Sequence, residues 1–250
     1  MSRRTLGFIV FALALAAGCV RLGFWQLSRL AERRARNALI EARLRQPPVS
    51  LTEVMRDSAN ARFRQVHLVG RYDYAHELVL TSRPRQGAPG VQILTPLVAP
   101  DVADPVLVNR GWVYAADGMT IDLSKWSEGD SAVVTGFAEE FSRGIGMVST
   151  STAARGVRRL DRDSLQARIG RAIAPVIVVQ RIGGETEGVI DHPPRLEVPA
   201  LDDGPHRAYA FQWFAFALIA VIGVGVVVRG ARRSARPAGP TSPAGSGGRA

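Results

Sequence analysis

Histidine is the side chain best suited to metal ligation and proton handling near neutral pH, and the chain carries four: His67, His76, His192 and His206. His67 and His76 flank an expected turn between strands, and two ligands are too few for a metal centre. His192 sits in a His-Pro-Pro loop. His206 is different because it opens an apolar segment. On a helix running from it, Tyr209, Ala210 and Trp213 fall at i+3, i+4 and i+7, an aromatic face topped by an imidazole. Such a face could take a planar apolar cofactor that needs an axial ligand. An interfacial histidine beside an aromatic belt would show the same pattern.

Other chemistry is sparse. Glu139-Glu140 and the Asp161, Asp163 pair read as solvated turns. Neither the Walker spacing nor a dinucleotide fingerprint occurs, and Gly144-Ile145-Gly146 is too short to stand for one. The serines lack a nucleophile-elbow setting. Cys19 is the single cysteine, which excludes an intramolecular disulfide, a Cys-Cys metal site and a dithiol motif within the chain. With no nucleophile–base pair and no ligand cluster, the chain is not expected to be an enzyme.

Two apolar segments must position these residues. Leu6 to Leu27 is 22 residues long, broken only by Arg21 and Gln26. At about 1.5 Å per residue it reaches about 33 Å, enough for a hydrocarbon core of about 30 Å. Arg21 can snorkel to the interface, and Trp25 falls at headgroup depth. A cleaved signal competes with this reading, since Arg3 and Arg4 precede the run and Leu15 to Cys19 resembles a lipoprotein processing site. Ala16, however, stands where a larger aliphatic residue is usual. The apolar character also continues past Cys19 through Leu22, Phe24, Trp25 and Leu27, so a retained anchor is expected.

The second segment, Ala208 to Val228, has no charge and one amide, Gln212. Arg229, Arg232, Arg233 and Arg236 follow it, whereas Asp202, Asp203 and Arg207 precede it, which places the C-terminal tail in the cytoplasm. Two spans then put the N-terminus inside as well, although six arginines just after the first span point the other way. The expected organisation is a cytoplasmic N-terminus at 1–5, transmembrane helices at 6–27 and 208–228, an extracytoplasmic domain at 28–207 and a disordered basic cytoplasmic tail at 229–250. The site of the protein is thus a bacterial plasma membrane.

Charge follows the same division. Residues 1–27 sum to +3, 28–48 to +4 and 208–250 to +5, leaving −2 for 49–207 out of a total of +10. The basic residues lie where anionic headgroups would meet them, so lipid rather than nucleic acid is the expected partner.

Within the domain, Ser28 to Arg45 continues the first helix as far as Pro47-Pro48, and Leu51 to Ala59 is a short helix capped near Ser50 or Thr52. Strands are expected at Phe63 to Val69 (bounded by Gly70), Glu77 to Ser82, Val91 to Val98, Val106 to Val113, Ala132 to Phe137 and Val176 to Val179. Pro96 should mark an edge or bulge. A helix at Asp161 to Ile169 precedes the last strand. Short turns between successive strands favour antiparallel pairing. The fold class is therefore α+β, two transmembrane helices flanking an antiparallel strand-rich domain.

Several motifs, in order along nearly the whole chain, resemble the Surfeit locus protein 1 family. They are Leu22-Gly23-Phe24-Trp25-Gln26-Leu27-Ser28-Arg29, then Arg64, Val66 and Gly70-Arg71-Tyr72, then Gly90 with Leu94-Thr95-Pro96-Leu97. Val108-Asn109-Arg110-Gly111-Trp112-Val113 follows, and last come His206, Tyr209-Ala210 and Gln212-Trp213-Phe214. The resemblance implies an assembly factor for haem–copper cytochrome c oxidase that acts in maturation of the haem a centres. It implies contact with oxidase subunits, above all the haem-bearing one, and possible contact with the haem a synthesis machinery. Carried over, His206 is the suspected haem a ligand. On that basis Trp25 and Gln26 should meet Tyr209, Gln212 and Trp213 around a transiently held porphyrin, with Arg29, Arg110 or Arg207 facing its propionates. The alternatives are a structural chaperone that touches oxidase subunits without haem, with Asn109 to Trp112 as turn and core residues, and a lipoprotein processed at Cys19.

Overall fold

Small residues recur along the first helix at alternating steps of four and three: Ala12, Ala16, Cys19 and Gly23 are all buried, and Leu30 lies one heptad beyond Gly23. In the computed structural model this helix, α1 (Arg3–Arg45), is continuous through 43 residues, as the helix-forming stretch after the apolar run predicts. The structure describes residues 2–142, 155–182, 192–198 and 200–234. Two compact units divide it, one of residues 1–37 and 201–250, the other of residues 38–200.

In the first unit α1 packs against α4 (His206–Ser234). Ala16, Cys19 and Ala217 form the contact, with Trp213 and Ala220 against them. Gly23 lets the Phe214 ring lie where a Cβ would come within 2.6 Å of it. Phe24 meets the same ring edge-on, centroids 5.4 Å apart. The step of four and three on both helices is the period of a heptad seam, which keeps one face of each helix on its partner. Large apolar side chains turn outward instead: Phe211 is 78% exposed, and Phe11, Leu218 and Ile219 are similarly bare. Water would penalise that surface, whereas lipid would not, and small residues at the contact are the packing that suits an apolar solvent. Both helices are long and apolar enough to cross a membrane.

The second unit is a closed barrel with satellites. After β1 (Val49–Ser50) and α2 (Leu51–Arg56) come β2 (Gln65–Tyr72), β3 (Leu78–Leu80), β4 (Gly90–Val98), β5 (Val106–Tyr114), β6 (Ser131–Glu139), β7 (Gly156–Val157), α3 (Arg162–Ile169) and β8 (Ile177–Ile182). The sheet order is β1-β2-β6-β8-β5-β4-β3-β7, and a further β2–β4 pairing closes five strands on themselves. Gly70 is inside β2 rather than at its end, because a Cβ there would stand 2.5 Å from the Val98 carbonyl oxygen where β2 meets β4. The barrel interior holds Val66 and Leu68 of β2, Val106 and Val108 of β5, Val134 of β6 and Val178 of β8. Leu107 and Ile177, on the other face, lie under Leu165 and Ile169 of α3. Burial on both faces is why β5 and β8 read as unbroken apolar runs.

Two expectations are corrected. The sheet is mixed rather than antiparallel, since β5 and β8 run parallel, as do the short pairs β1–β2 and β3–β7. The α3 crossover between β6 and β8 reverses the last strand and inserts it between β6 and β5. Asn109 to Trp112 lies within the expected strand, and a sheet irregularity falls there rather than at Pro96. Ile93 pairs with Gly111 and Leu94 with Asn109, leaving Arg110 as the extra residue of a bulge. The remaining boundaries shift little. The caps are Ser50, whose side chain accepts from Glu53 N–H, and Asp161, whose carboxylate accepts from Ser164 N–H.

Closure through Gly70 gives a direct test. Gly70→Ala should push β2 off β4 and cost about 3 kcal/mol, the upper range for an overpacked site, in urea unfolding of the purified protein. A variant as stable as wild type would contradict the closed barrel.

Candidate functional site

His206 is the first residue of α4, and it is half-buried. Its Nδ1 lies 2.8 Å from Oε1 of Gln26 on α1. An amide oxygen only accepts, so the imidazole donates from Nδ1, and in its neutral form it then carries the lone pair on Nε2. Ligating histidines have this arrangement: the outer nitrogen is fixed by a hydrogen bond and the inner one is free for a metal. The residues present therefore fit an axial ligand to haem iron. Among the described residues no group of three or more His, Cys, Asp or Glu could hold a metal ion, so a haem ligand here would act as a lone axial imidazole rather than as one of a ligand set.

The other residues expected around it are placed differently. Trp213 turns into the helix contact, half-buried against Ala16, Cys19 and Ala217 and edge-on to Phe216 at 6.0 Å. Ala210 is buried, while Tyr209 and Gln212 are exposed. Trp25 is exposed and carries the Arg29 guanidinium 5.6 Å from its ring centre. Arg29 also pairs with Glu32 at 2.8 Å, in a solvent-facing bridge that exchanges readily. The expected single aromatic face is thus divided. Tyr209 and Trp25 are exposed, and Trp213 serves packing.

Arg110 belongs to a different place. It is fully buried in the barrel unit, where its bulge aims it at the polar end of the interior. Nη1 donates to Glu77 at 2.7 Å and to Thr95 at 3.3 Å, Nε and Nη2 to Glu128 at 3.0 and 2.8 Å, and Nη2 to the Trp126 carbonyl. Tyr72 and Tyr74 present their faces to it at 5.1 and 5.3 Å. All five guanidinium donors are used, which corrects its expected role at a propionate. The neighbouring motif residues complete a latch. Gly111, at φ +146°, leaves room for the Pro193 and Pro194 carbonyls, and Trp112 N–H donates to Pro194 at 2.9 Å. Arg195 donates to the Arg110 carbonyl at 2.6 Å and to Glu128 at 3.0 Å. The motif therefore ties the segment at 192–198 to the barrel. Glu77, Glu128 and Arg195 carry no spacing signal that marks them in the sequence.

The other histidines are accounted for locally. His67 bonds Thr135 at 3.2 Å across β2 and β6, His76 pairs with Asp73 at 2.8 Å, and His192 contacts the Pro193 carbonyl. Glu139 has an ion-pair partner in Arg62 at 3.0 Å, and burial pushes its carboxyl up. Glu140 also has a partner.

The Arg110 cluster predicts a pH signature. Burial pushes the Glu77 carboxyl above its ordinary range, opposed by its bonds to Thr95 and Arg110. Arg110→Met removes the arginine's share of that opposition and leaves the buried Glu77 carboxylate without its ion pair, with Thr95 still bonded to it and Glu128 held by Arg195 alone, at a cost of about 3 kcal/mol at neutral pH. Because Glu77 then binds its proton more tightly folded than unfolded, the deficit should shrink as pH falls from about 8 to about 5. Urea midpoints against pH check this, and a deficit that stays constant would contradict it.

The SURF1 family model matches residues 13–218, from within α1 to within α4. A SURF1-like protein of Mycobacterium tuberculosis is 27% identical over 212 residues, which is 80% of this chain and 74% of that one. The cytochrome oxidase assembly protein SHY1 of Saccharomyces cerevisiae is 29% identical over 119 residues, 45% of this chain and 31% of its own. Surfeit locus protein 1 of Xenopus tropicalis is 29% identical over 107 residues, 37% of this chain and 35% of its own. With the matched stretch taking in the helix pair from Gln26 to His206 and the whole barrel between them, the chain belongs to the SURF1 family.

Proposed function

We propose that this protein is an assembly factor for haem–copper cytochrome c oxidase, held in the bacterial plasma membrane by α1 and α4, and that His206 ligates haem a on its way to the haem-bearing subunit. Family membership and the likeness to the yeast cytochrome oxidase assembly protein support the oxidase. The Gln26–His206 hydrogen bond at 2.8 Å carries the haem part, because it fixes the tautomer that leaves Nε2 free.

When bound, haem a would supply an iron that takes a nitrogen ligand, an apolar porphyrin face and anionic propionates. The chain's own residues do the rest. Gln26 orients the imidazole, and Tyr209 and Trp25 offer exposed rings. Arg29, already over Trp25 and paired only at the surface with Glu32, exchanges that carboxylate for a propionate at low cost. A single protein ligand keeps affinity modest, which handing the cofactor on requires. The chain performs no covalent chemistry in this role.

In this reading both tails are cytoplasmic and the barrel is outside. Arg229, Arg232 and Arg233 at the end of α4 support that orientation. The arginines after the first span have a use of their own, since Arg29, Arg33, Arg34 and Arg45 each face a carboxylate.

Redox difference spectra of membranes test the proposal. Cells lacking the chain should lose most of the haem a band and oxidase activity, the wild-type chain should restore both, and His206→Ala should not. An unchanged band in the deletion strain would sink the oxidase role. Full restoration by His206→Ala would leave a chaperone that never ligates haem.

A further inference from the structure

The stretch that leads into α4 is tied to α1 by charged contacts unrelated to apolar packing. Arg33 donates from Nε to the Asp202 carbonyl and from Nη2 to its carboxylate, both at 2.7 Å. Asn37 donates to the same carbonyl at 2.9 Å. Arg34 Nε lies 3.0 Å from both carboxylate oxygens of Asp203, and Nη2 reaches one of them as well. The Asp202 carboxylate also accepts Gly204 N–H at 2.8 Å, closing a tight turn in which Gly204 has φ +65°. His206 begins α4 two residues later.

Position on α1 links these contacts to the imidazole. Gln26, Leu30, Arg33 and Asn37 continue the steps of four and three that run through Ala12 to Gly23, so one helix face carries both the amide and the clasp. The first residues of a helix lack intrahelical partners for their N–H groups and fray. His206 is the first residue of α4, so what fixes its backbone is the turn before it.

We propose that Arg33, Arg34 and Asn37 are positioning residues for His206: they lock the turn at Asp202 to Gly204 and so hold the imidazole Nδ1 on Gln26, leaving Nε2 as the ligand. The proposal rests on the reading of His206 as a haem ligand. Exposed ion pairs add little to stability, so the value of this clasp lies in geometry. The Arg34 hydrogen bond holds the Asp203 carboxyl below the usual carboxylate range.

Nitrogen-15 NMR of the imidazoles in the detergent-purified, haem-free chain tests the clasp, with His206 assigned by its loss in His206→Ala. Wild type should show one tautomer, protonated at Nδ1. Arg34→Asp should draw the two nitrogen shifts together, and adding Asp203→Arg should separate them again. Asn37→Ala, which removes one neutral hydrogen bond, should move them in the same direction and carries the test if the charge reversal fails to fold. In cells, Arg34→Asp should lower the haem a band about tenfold, the lower range for loss of support behind a metal ligand, and the charge swap should restore it. Unchanged nitrogen shifts in the clasp variants would overturn the positioning role. Failure of the wild-type chain itself to restore the band would overturn the haem reading and leave the tautomer result standing.

Discussion

One hydrogen bond underlies the candidate site: the imidazole at the start of α4, bonded through Nδ1 to the Gln26 amide on the facing helix. That bond needs α1 and α4 in fixed register. The register comes from Ala16, Cys19 and Gly23 meeting Ala217 and Phe214, where small side chains let the backbones approach. In lipid no hydrophobic force drives two helices together, so close packing and polar contacts must supply the specificity. Here the packing lies in the apolar stretch and the polar contacts lie beyond it, in Gln26–His206 and in the arginine–aspartate pairs after it. A single imidazole gains a defined tautomer from this arrangement at little cost in buried polar surface.

The barrel unit solves a separate problem with a buried charge. Arg110 and Arg195 balance Glu77 and Glu128 in one cluster beside a chiefly aliphatic core. Burying four charges is costly unless each is paired and hydrogen-bonded, and the contacts of Arg110 meet that condition. The cluster's use is specificity of backbone path: a bulge aims Arg110 inward, Gly111 clears space, and Trp112 with Arg195 pins the segment at 193–195. Asn109 to Trp112 thus form a structural latch in this chain.

Much of the fold was legible because its signals are local. Two runs of about 20 apolar residues specify the helices, and β2, β4, β5 and β6 stand out as β-branched runs between turn residues. The pairing of β8 was not legible, since whether a final strand joins parallel or antiparallel depends on the α3 crossover and on which edge stays open. Gly111 suggested a turn because positive φ is common to turns and bulges, and only the partner strand decides between them. Arg110 was expected to face a propionate, and its burial was not legible because charged residues are seldom buried. His206 and Gln26 were both named from their motifs, yet the steps of four and three from Ala12 to Asn37, which place them on one seam and include Arg33, were present in the sequence and are unmistakable once the partner helix is seen.

Titration of haem a into the detergent-purified full-length chain, followed by absorption spectroscopy, tests the central claim most directly. The account predicts a saturable, imidazole-ligated spectrum for wild type and its loss in His206→Ala, while the barrel of both proteins melts alike. Equal haem content and the same line shape in the two proteins would contradict it.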